Sequence, residues 1–296
     1  MPLVTTAVVP VAGLGTRLLP ATKSQPKEML PVGGKPVVQH VVEELAAAGI
    51  ERVVFVTGRG KGAIEDHFDR DPVLRAALER RGDQALLRRL AFEEELGLSF
   101  AYTRQREPLG LGDAVLCAEG LGGEAPFAVA LGDAILRGPH DTTPIVQRLA
   151  DALEQHDAAC AIAVRDVPRA ETSRYGIVAT RDTGRVVRVD GVVEKPEPDA
   201  APSTLAIAAR YVMTPAIFAA LRATPRAPNG ELELTDAIAR LVDEGETVVA
   251  VRLGDTQRYD VGTPESHAAA FLAFALTDPD HGERLRAVAR ALLDEG

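Results

Sequence analysis

Mostly apolar stretches with the length of β-strands alternate with helical patterns through the first 166 residues of the chain. These stretches carry few internal charges, which is typical of strands that are covered on both faces of a sheet. They lie at Thr6–Val11, Arg52–Thr57, Leu98–Gln105, Phe127–Asp133 and Ala158–Asp166. The alternation predicts an α/β fold with a doubly wound, mostly parallel, Rossmann-like sheet.

Helical patterns fill the intervals between these strands. They lie at Pro36–Ala48, Lys61–Phe68, Ala76–Glu94, Gly112–Glu119 and Ile145–His156. Pro36 suits the first position of its helix, and Gly49 suits the position just after the helix ends. In sheets of this kind, ligands bind at the carboxyl ends of the strands, where the connecting loops converge.

The pattern changes after residue 166. Strand-like runs separated by short turns predict an antiparallel or mixed extension of the sheet, at Gly176–Thr180, Val186–Lys195 and Leu205–Met213. Helical patterns then return at Pro215–Leu221, Leu234–Glu244 and Pro264–Leu276, and a charged amphipathic segment follows at Gly282–Glu295.

Composition and charge exclude several classes of protein. Two cysteines, Cys117 and Cys160, without CxxC or histidine spacing favour a reducing compartment over a disulfide framework or a zinc site. The N-terminal residues show no signal pattern, and no run approaches the roughly 20 apolar residues of a membrane helix, so we expect a cytoplasmic protein without a membrane partner. The net charge of −10 argues against a nucleic-acid-binding surface.

The first strand candidate leads into a glycine-rich turn, Gly13-Leu14-Gly15-Thr16-Arg17. Such a turn brings backbone amides close to phosphates or to a base edge, and Arg17 can reach phosphate oxygens that the amides leave unsatisfied. A dinucleotide-binding fingerprint would need a third glycine where Leu18 stands. A Walker A loop would need Gly-Lys-Ser/Thr, which neither Gly34-Lys35-Pro36 nor Gly60-Lys61-Gly62 provides. The two glycines by themselves also fit an ordinary turn between a strand and a loop that binds no ligand.

The following sequence blocks make a family resemblance definite. They are GLGTRLLPATK, PKEMLPV, the helix KPVVQHVVEEL, QxEPLGLG from Gln105, LGD ending at Asp133, RYG ending at Gly176, VVEKP, APSTLAI, GELELTDAI and RYDVG ending at Gly262. Together they resemble the bacterial UTP–glucose-1-phosphate uridylyltransferases over about residues 6–275. The glycine motif marks the wider sugar nucleotidyltransferase superfamily, whereas PKEML, APSTLAI and GELELTDAI are far more specific.

The resemblance implies a reaction and an organisation of the chain. A phosphate oxygen of glucose 1-phosphate would attack the α-phosphorus of UTP, giving UDP-glucose and pyrophosphate. That nucleophile is ionised at neutral pH, so catalysis reduces to alignment and to neutralisation of charge by Mg²⁺ and cationic side chains. We expect a nucleotidyltransferase domain of the nucleotide-diphospho-sugar transferase type over residues 1–277, with a nucleotide-binding part at about 1–166 and a sugar-binding part at about 167–262. A helical tail would follow at 278–296, and the protein would be a homodimer or homotetramer.

The resemblance also implies roles for individual residues. Arg17 and Lys27 would hold the triphosphate and stabilise the departing pyrophosphate, and Asp133 and Asp260 would bind Mg²⁺. Asp133 is expected at the end of an apolar strand, where a carboxylate is costly unless it serves a ligand. The nucleotide-binding positions would be Ala12, Gly13, Gly15, Glu28, Gln105 and Gly110, and the sugar-phosphate-binding positions Gly176, Glu194 and Lys195. An amide such as that of Gln105 both donates and accepts, which matches the edge of uracil.

The sequence departs from the family pattern at Asp113, at Ala134, at Gln25 and at the Gly33-Gly34 pair. Many relatives carry another residue where Asp113 stands, and a second acid is common at Ala134. Near a triphosphate Asp113 would add negative charge, so it either points away or alters nucleotide preference. The alternatives are a glucose-1-phosphate thymidylyltransferase, which usually shows a GGxGTR loop and lacks PKEML, and a non-catalytic nucleotide-sugar-binding protein, which would have lost Arg17, Lys27 or Asp133.

Overall fold

Strands and helices alternate along the chain in the computed structural model, which describes residues 3–122, 125–139 and 143–294. The strands are β1 (Thr6–Pro10), β2 (Pro31–Val32), β3 (Lys35–Pro36), β4 (Arg52–Thr57), β5 (Ser99–Arg104), β6 (Phe127–Ala130), β7 (Ala134–Arg137), β8 (Cys160–Asp166), β9 (Gly176–Ala179), β10 (Val186–Arg188), β11 (Gly191–Glu194), β12 (Leu205–Met213), β13 (Val248–Arg252) and β14 (Gln257–Asp260). The α-helices are α1 (Val37–Ala47), α2 (Gly62–Phe68), α3 (Pro72–Arg81), α4 (Gln84–Leu90), α5 (Phe92–Leu96), α6 (Leu111–Leu116), α7 (Glu119–Gly122), α8 (Ile145–Gln155), α9 (Ala216–Ala223), α10 (Leu234–Asp243), α11 (Pro264–Leu276) and α12 (Gly282–Asp294). None of the helices in these ranges is long and apolar enough to cross a membrane.

A large central sheet organises the fold, with the strand order β10-β13-β8-β12-β6-β1-β4-β5. The half that contains β6, β1, β4 and β5 is parallel throughout. Strand β12 runs antiparallel to both of its neighbours, and the β9–β11 hairpin joins the sheet at β12. This arrangement confirms the predicted α/β class, with a mostly parallel sheet and an antiparallel extension.

Strands β1, β4 and β6 are mostly apolar, and both of their faces are covered. Val8 and Val54 belong to a buried cluster on one face, whereas Val9 and Phe55 belong to a second cluster on the other. Successive side chains of a strand point to opposite faces, so each strand supplies apolar residues to both layers. A smaller third cluster packs α11 against the loop that follows β1, and it contains Leu18, Leu30, Val261 and Ala270.

Three predicted elements are wrong in detail. The single helix expected at Ala76–Glu94 is three helices, because Gly82 ends α3 with a φ of 67° and Asp83 caps α4 by accepting a hydrogen bond from the Leu86 amide. The strand expected at Val186–Lys195 is two strands with different partners, β13 and β9. The strand expected at Phe127–Asp133 ends at Ala130, so Asp133 lies in the turn between β6 and β7 rather than at a strand end.

A buried arginine braces that turn. Strand β12 has a register shift between Ile207 and Tyr211, and Ala209 there adopts a φ of 64°, which a non-glycine residue keeps only where its surroundings enforce it. The next residue, Arg210, is fully buried and pairs with both carboxylate oxygens of Glu44 on α1, at 2.9 and 2.6 Å. Its Nη2 also donates to the carbonyl of Ala134 at 2.9 Å. The position of the Asp133 turn therefore depends on Arg210.

Replacing Arg210 by Met should destabilise the protein by about 3–5 kcal/mol, because Glu44 and the turn carbonyls lose a buried charged partner. Urea unfolding of the wild type and of Arg210→Met measures the difference. Arg222→Met is the matched control, since Arg222 and Glu119 form an exposed pair that is worth about 1 kcal/mol or less. Equal losses in the two variants would contradict the bracing role.

Candidate functional site

A cleft of about 440 Å³ opens at the carboxyl ends of three parallel strands. The loop after β1 forms one wall, the segment after β5 forms a second, and the turn after β6 forms the floor. The predicted residues that line it are Ala12, Gly13, Gly15, Arg17, Lys27, Glu28, Gln105, Gly110 and Asp133. The fold thus brings the predicted nucleotide and catalytic positions together, as expected for a sheet of this kind.

The glycine turn presents free backbone donors to the cleft. Gly15 has a φ of 66°, and its carbonyl accepts hydrogen bonds from the Leu18 amide and the Thr22 hydroxyl, at 3.0 and 2.8 Å. No described residue accepts a hydrogen bond from the amides of Gly13, Leu14 or Gly15. Such a group of backbone N–H donors favours an anionic ligand.

Lys27 and Asp133 form the central ion pair of the cleft, with 2.5 Å between Nζ and Oδ2. Their side chains are 17% and 20% exposed. Burial alone would lower the pKa of Lys27, but the carboxylates of Asp133 and Glu28 hold it above its ordinary value. Burial alone would raise the pKa of Asp133, but Lys27 holds it below its ordinary value. Both groups are therefore charged at neutral pH.

Asp260 approaches this pair on a neighbouring strand. Strands β14 and β7 are antiparallel, and the Val261 amide donates to the carbonyl of Asp133 at 2.9 Å. A Cβ at Gly262 would lie 2.7 Å from Asp260 Oδ2 and 3.4 Å from a guanidinium nitrogen of Arg17. Arg17, which lines the cleft, and Asp260, which does not, thus approach one another at Gly262, where a larger residue would collide with the Asp260 carboxylate.

The guanidinium of Arg258 lies behind Asp260. Its Nη2 donates to Asp260 Oδ1 at 2.8 Å, and its charge lies 5.3 Å from the ring centre of Tyr175. Alternation along β14 puts Arg258 on the same face as Asp260, so the Arg-x-Asp spacing was a signal that the sequence analysis did not use. The pairing orients the Asp260 carboxylate.

A second buried ion pair joins the wall of the cleft that contains Glu28 to Lys61, the residue before α2. Lys61 Nζ is 2.9 Å from Glu28 Oε2, and both side chains are almost fully buried. Burial raises the pKa of Glu28, and the neighbouring Lys61 opposes that rise. In the sequence, Lys61 stands out only in Gly60-Lys61-Gly62, which fails the Walker A pattern. Nothing near it indicates a partner 33 residues away.

The predicted sugar-phosphate residues form a separate group on the β9–β11 hairpin. Gly176 and Glu194 are paired across the hairpin, and Lys195 Nζ lies 2.8 Å from Glu194 Oε1. A Cβ at Gly176 would lie 3.2 Å from Glu194 Oε2, so glycine keeps this carboxylate accessible. The three residues do not line the 440 Å³ cleft, although Glu231, which lines it, is only two residues from Glu233 beside Lys195.

Comparisons with known proteins identify the class that this fold and cleft define. The family model described as nucleotidyl transferase matches residues 6–275. A structure titled as a UTP-bound UGPase from Acinetobacter baumannii superposes with a TM-score of 0.89 at 38% identity, covering 97% of this chain and 98% of that one. The chain is a nucleotidyl transferase by fold and by sequence.

Curated relatives narrow the family further. A UTP–glucose-1-phosphate uridylyltransferase of Bacillus subtilis is 44% identical over 290 residues, which cover 98% of this chain and 97% of the relative. One from Staphylococcus epidermidis is 42% identical over 287 residues, with 97% of each covered. The chain belongs to the UTP–glucose-1-phosphate uridylyltransferase family, which confirms the resemblance seen in the sequence blocks.

Glu233, which the sequence does not single out, lies 3.9 Å from Lys195 and makes the stability of the protein depend on pH. Burial, followed by the carboxylates of Glu194 and Glu231, raises its pKa from 4.5 to about 6, although Lys195 opposes the rise. The native state therefore binds this proton more tightly than the unfolded chain does. The contribution of Glu233 to the free energy of unfolding is therefore fully present below pH 4.5 and is lost as pH rises through about 6.

Glu233→Gln should therefore be more stable than the wild type at pH 8, and the advantage should shrink as pH falls to 5. Urea unfolding of both proteins at several pH values between 5 and 8 measures the difference. A difference in the free energy of unfolding between Glu233→Gln and the wild type that stays constant from pH 5 to 8 would contradict the raised pKa of Glu233.

Proposed function

We propose that this protein transfers the uridylyl group of UTP to glucose 1-phosphate, giving UDP-glucose and pyrophosphate. The observation that carries the proposal is the cleft itself, in which free amides of the glycine turn, Arg17 and the Lys27–Asp133 pair lie together. The family membership supports the choice of substrates, because the relatives at 42–44% identity are named for this activity. A cavity of about 440 Å³ is within the usual size range of small-molecule sites.

The chain contributes positioning and charge. The backbone of Ala12 and Gly13 contacts the nucleoside of UTP and the Gly15 amide donates to a phosphate oxygen. Arg17 and Lys27 neutralise the charge that develops on the leaving pyrophosphate. A phosphate oxygen of glucose 1-phosphate forms the new bond to the α-phosphorus as the bond from this phosphorus to the bridging oxygen breaks, and the electron pair leaves with pyrophosphate. The attacking oxygen is already ionised, so no side chain has to remove a proton from it.

The sugar-binding part, at about residues 167–262, supplies the second substrate. Lys195 meets the phosphate of glucose 1-phosphate, and Glu194 accepts hydrogen bonds from sugar hydroxyls. Gly176 offers a backbone donor beside them. The 2.8 Å contact between Lys195 and Glu194 supports this division, because it holds a cation and an acceptor at adjacent points.

Asp133 and Asp260 suit Mg²⁺, since both offer carboxylate oxygens and lie on adjoining elements, Asp133 in the lining of the cleft and Asp260 beside it. Within the described ranges, no group of three or more His, Cys, Asp or Glu side chains could hold a metal ion. Phosphate oxygens of the substrates would therefore complete the coordination shell, as is usual for Mg²⁺ in nucleotide sites. Bound there, Mg²⁺ supplies positive charge to the triphosphate.

The protein also acts in the cytoplasm as a homodimer or homotetramer under this proposal. Exposed apolar side chains on the two C-terminal helices support self-association. They are Phe271, Leu272, Val288, Leu292 and Leu293.

Pyrophosphate release with glucose 1-phosphate should be fastest with UTP when UTP, dTTP, CTP and ATP are compared, and EDTA should abolish it. Lys27→Ala should lower turnover by at least about a hundredfold, which is the scale of losing one preorganised charge at a reaction centre. A preference for dTTP would support the thymidylyltransferase alternative.

Lys35→Ala is the matched control for this series, because Lys35 is paired with Glu43 at 2.8 Å outside the cleft lining. Its turnover should equal that of the wild type. Folded wild-type protein with Mg²⁺ that turns over no nucleotide would defeat the proposed function.

A further inference from the structure

The side-chain amide of Gln105 is held by two acceptors. Its Nε2 donates to the carbonyl of Gly110 at 3.0 Å and to Asp113 Oδ2 at 2.9 Å. An amide nitrogen carries two hydrogens, so both are used by the protein. A backbone carbonyl and a carboxylate only accept, so this chemistry requires the nitrogen, and not the oxygen, on that side.

Asp113 is itself fixed in place. Its second oxygen, Oδ1, accepts a hydrogen bond from Arg226 Nη2 at 3.0 Å. Arg226 in turn donates to the carbonyl of Gly230 at 3.2 Å, which ties it to its own loop. The carboxylate therefore has a partner for each oxygen, one on Gln105 and one on Arg226.

The loop that carries these residues is bound to the 226–232 segment by its backbone. The Leu232 amide donates to the carbonyl of Leu109 at 2.7 Å, and the Gly112 amide donates to the carbonyl of Leu232 at 2.8 Å. Gly110 has a φ of 99°, and a Cβ there would lie 2.6 Å from the Leu232 carbonyl oxygen. The loop cannot shift without breaking these contacts, so Gln105 cannot easily exchange its two acceptors for others.

The atom that Gln105 has left for a ligand is Oε1. Gln105 is buried and lines the cleft, and no described residue donates a hydrogen bond to Oε1. An acceptor at this point matches a base that presents a ring N–H, as uracil does at N3. Cytosine presents an unprotonated ring nitrogen at N3, so two acceptors would face one another.

We propose that Asp113 is a specificity-determining positioning residue: with Arg226 it holds Gln105 so that the cleft offers an acceptor, and this selects uracil over cytosine. The inference rests on the proposed function for the identity of the nucleotide. Asp113 contacts Gln105 rather than the base, so its carboxylate serves recognition although it adds a negative charge near the site.

Asp113→Asn tests this, because its amide can donate to Gln105 Oε1 as well as accept from Nε2, so that only the Gly110 carbonyl still favours one orientation. The ratio of kcat/KM for UTP over CTP should fall at least about fivefold, the factor that corresponds to one net hydrogen bond. The loss with UTP should appear in KM, whereas kcat stays near the wild-type value. Arg226→Met should lower the ratio in the same direction.

Asp166→Asn is the control, since Asp166 is paired with Arg252 at 2.6 Å and does not line the cleft. If the ratio of kcat/KM for UTP over CTP in Asp113→Asn lies within twofold of the wild-type ratio, the proposal is overturned. If Asp113→Asn does not fold, the same criterion applies to Arg226→Met. Calorimetric dissociation constants for UMP and CMP give the same ratio without turnover. Loss of all turnover in the wild type would instead count against the proposed function, while the UMP-to-CMP ratio still tests Asp113.

Discussion

The ion pair between Lys27 and Asp133 is the interaction on which the rest of the cleft depends. It joins the long loop after β1 to the turn between β6 and β7, at 2.5 Å, across 106 residues of sequence. Each charge is mostly buried, and a buried charge without its partner would destabilise the protein. The pair therefore holds the loop and the turn together. Gly13 lies beneath the lysine, since a Cβ there would be 3.7 Å from its Cε.

Three further cationic side chains pair with the acidic residues around the Lys27–Asp133 pair or hold the backbone that carries them. Lys61 neutralises Glu28, Arg258 orients Asp260, and Arg210 holds the turn that carries Asp133. Burying so many charges is tolerated because each has an ionic partner and, for Arg210, carbonyl acceptors as well. Lys27, Lys61 and Arg258 are thereby held in place, so part of the positive charge of the site is positioned before a ligand binds.

The sequence predicted the sheet and the cleft wall well, since both depend on local patterns. Alternating apolar runs gave the parallel half of the sheet, and Leu205–Met213 was predicted to the residue. Local patterns did not reveal the break at Gly82, because the helical period of apolar residues continues on both sides of it. They also placed Asp133 at a strand end, since Leu131 and the strand before it are equally apolar.

Long-range pairings could not be predicted from the sequence. Arg210 stands in an apolar run, and only the bulge at Ala209 turns it towards Glu44, which is 166 residues away. The same applies to Lys61 with Glu28 and to Lys195 with Glu233, whose contacts arise from the tertiary fold. The roles of the catalytic, nucleotide-binding, sugar-phosphate-binding and metal-binding residues stay predictions.

The most direct measurement of the central pair is calorimetric binding of UTP in EDTA to the wild type and to Asp133→Asn. Asp133→Asn leaves Lys27 without its charged partner, so the loop after β1 and the turn between β6 and β7 are no longer held together by an ion pair. UTP binding should therefore weaken by at least about tenfold, because a hydrogen bond to a charged group is worth about 1.5–3 kcal/mol. Binding by the variant that is equal to or tighter than that of the wild type would contradict the account.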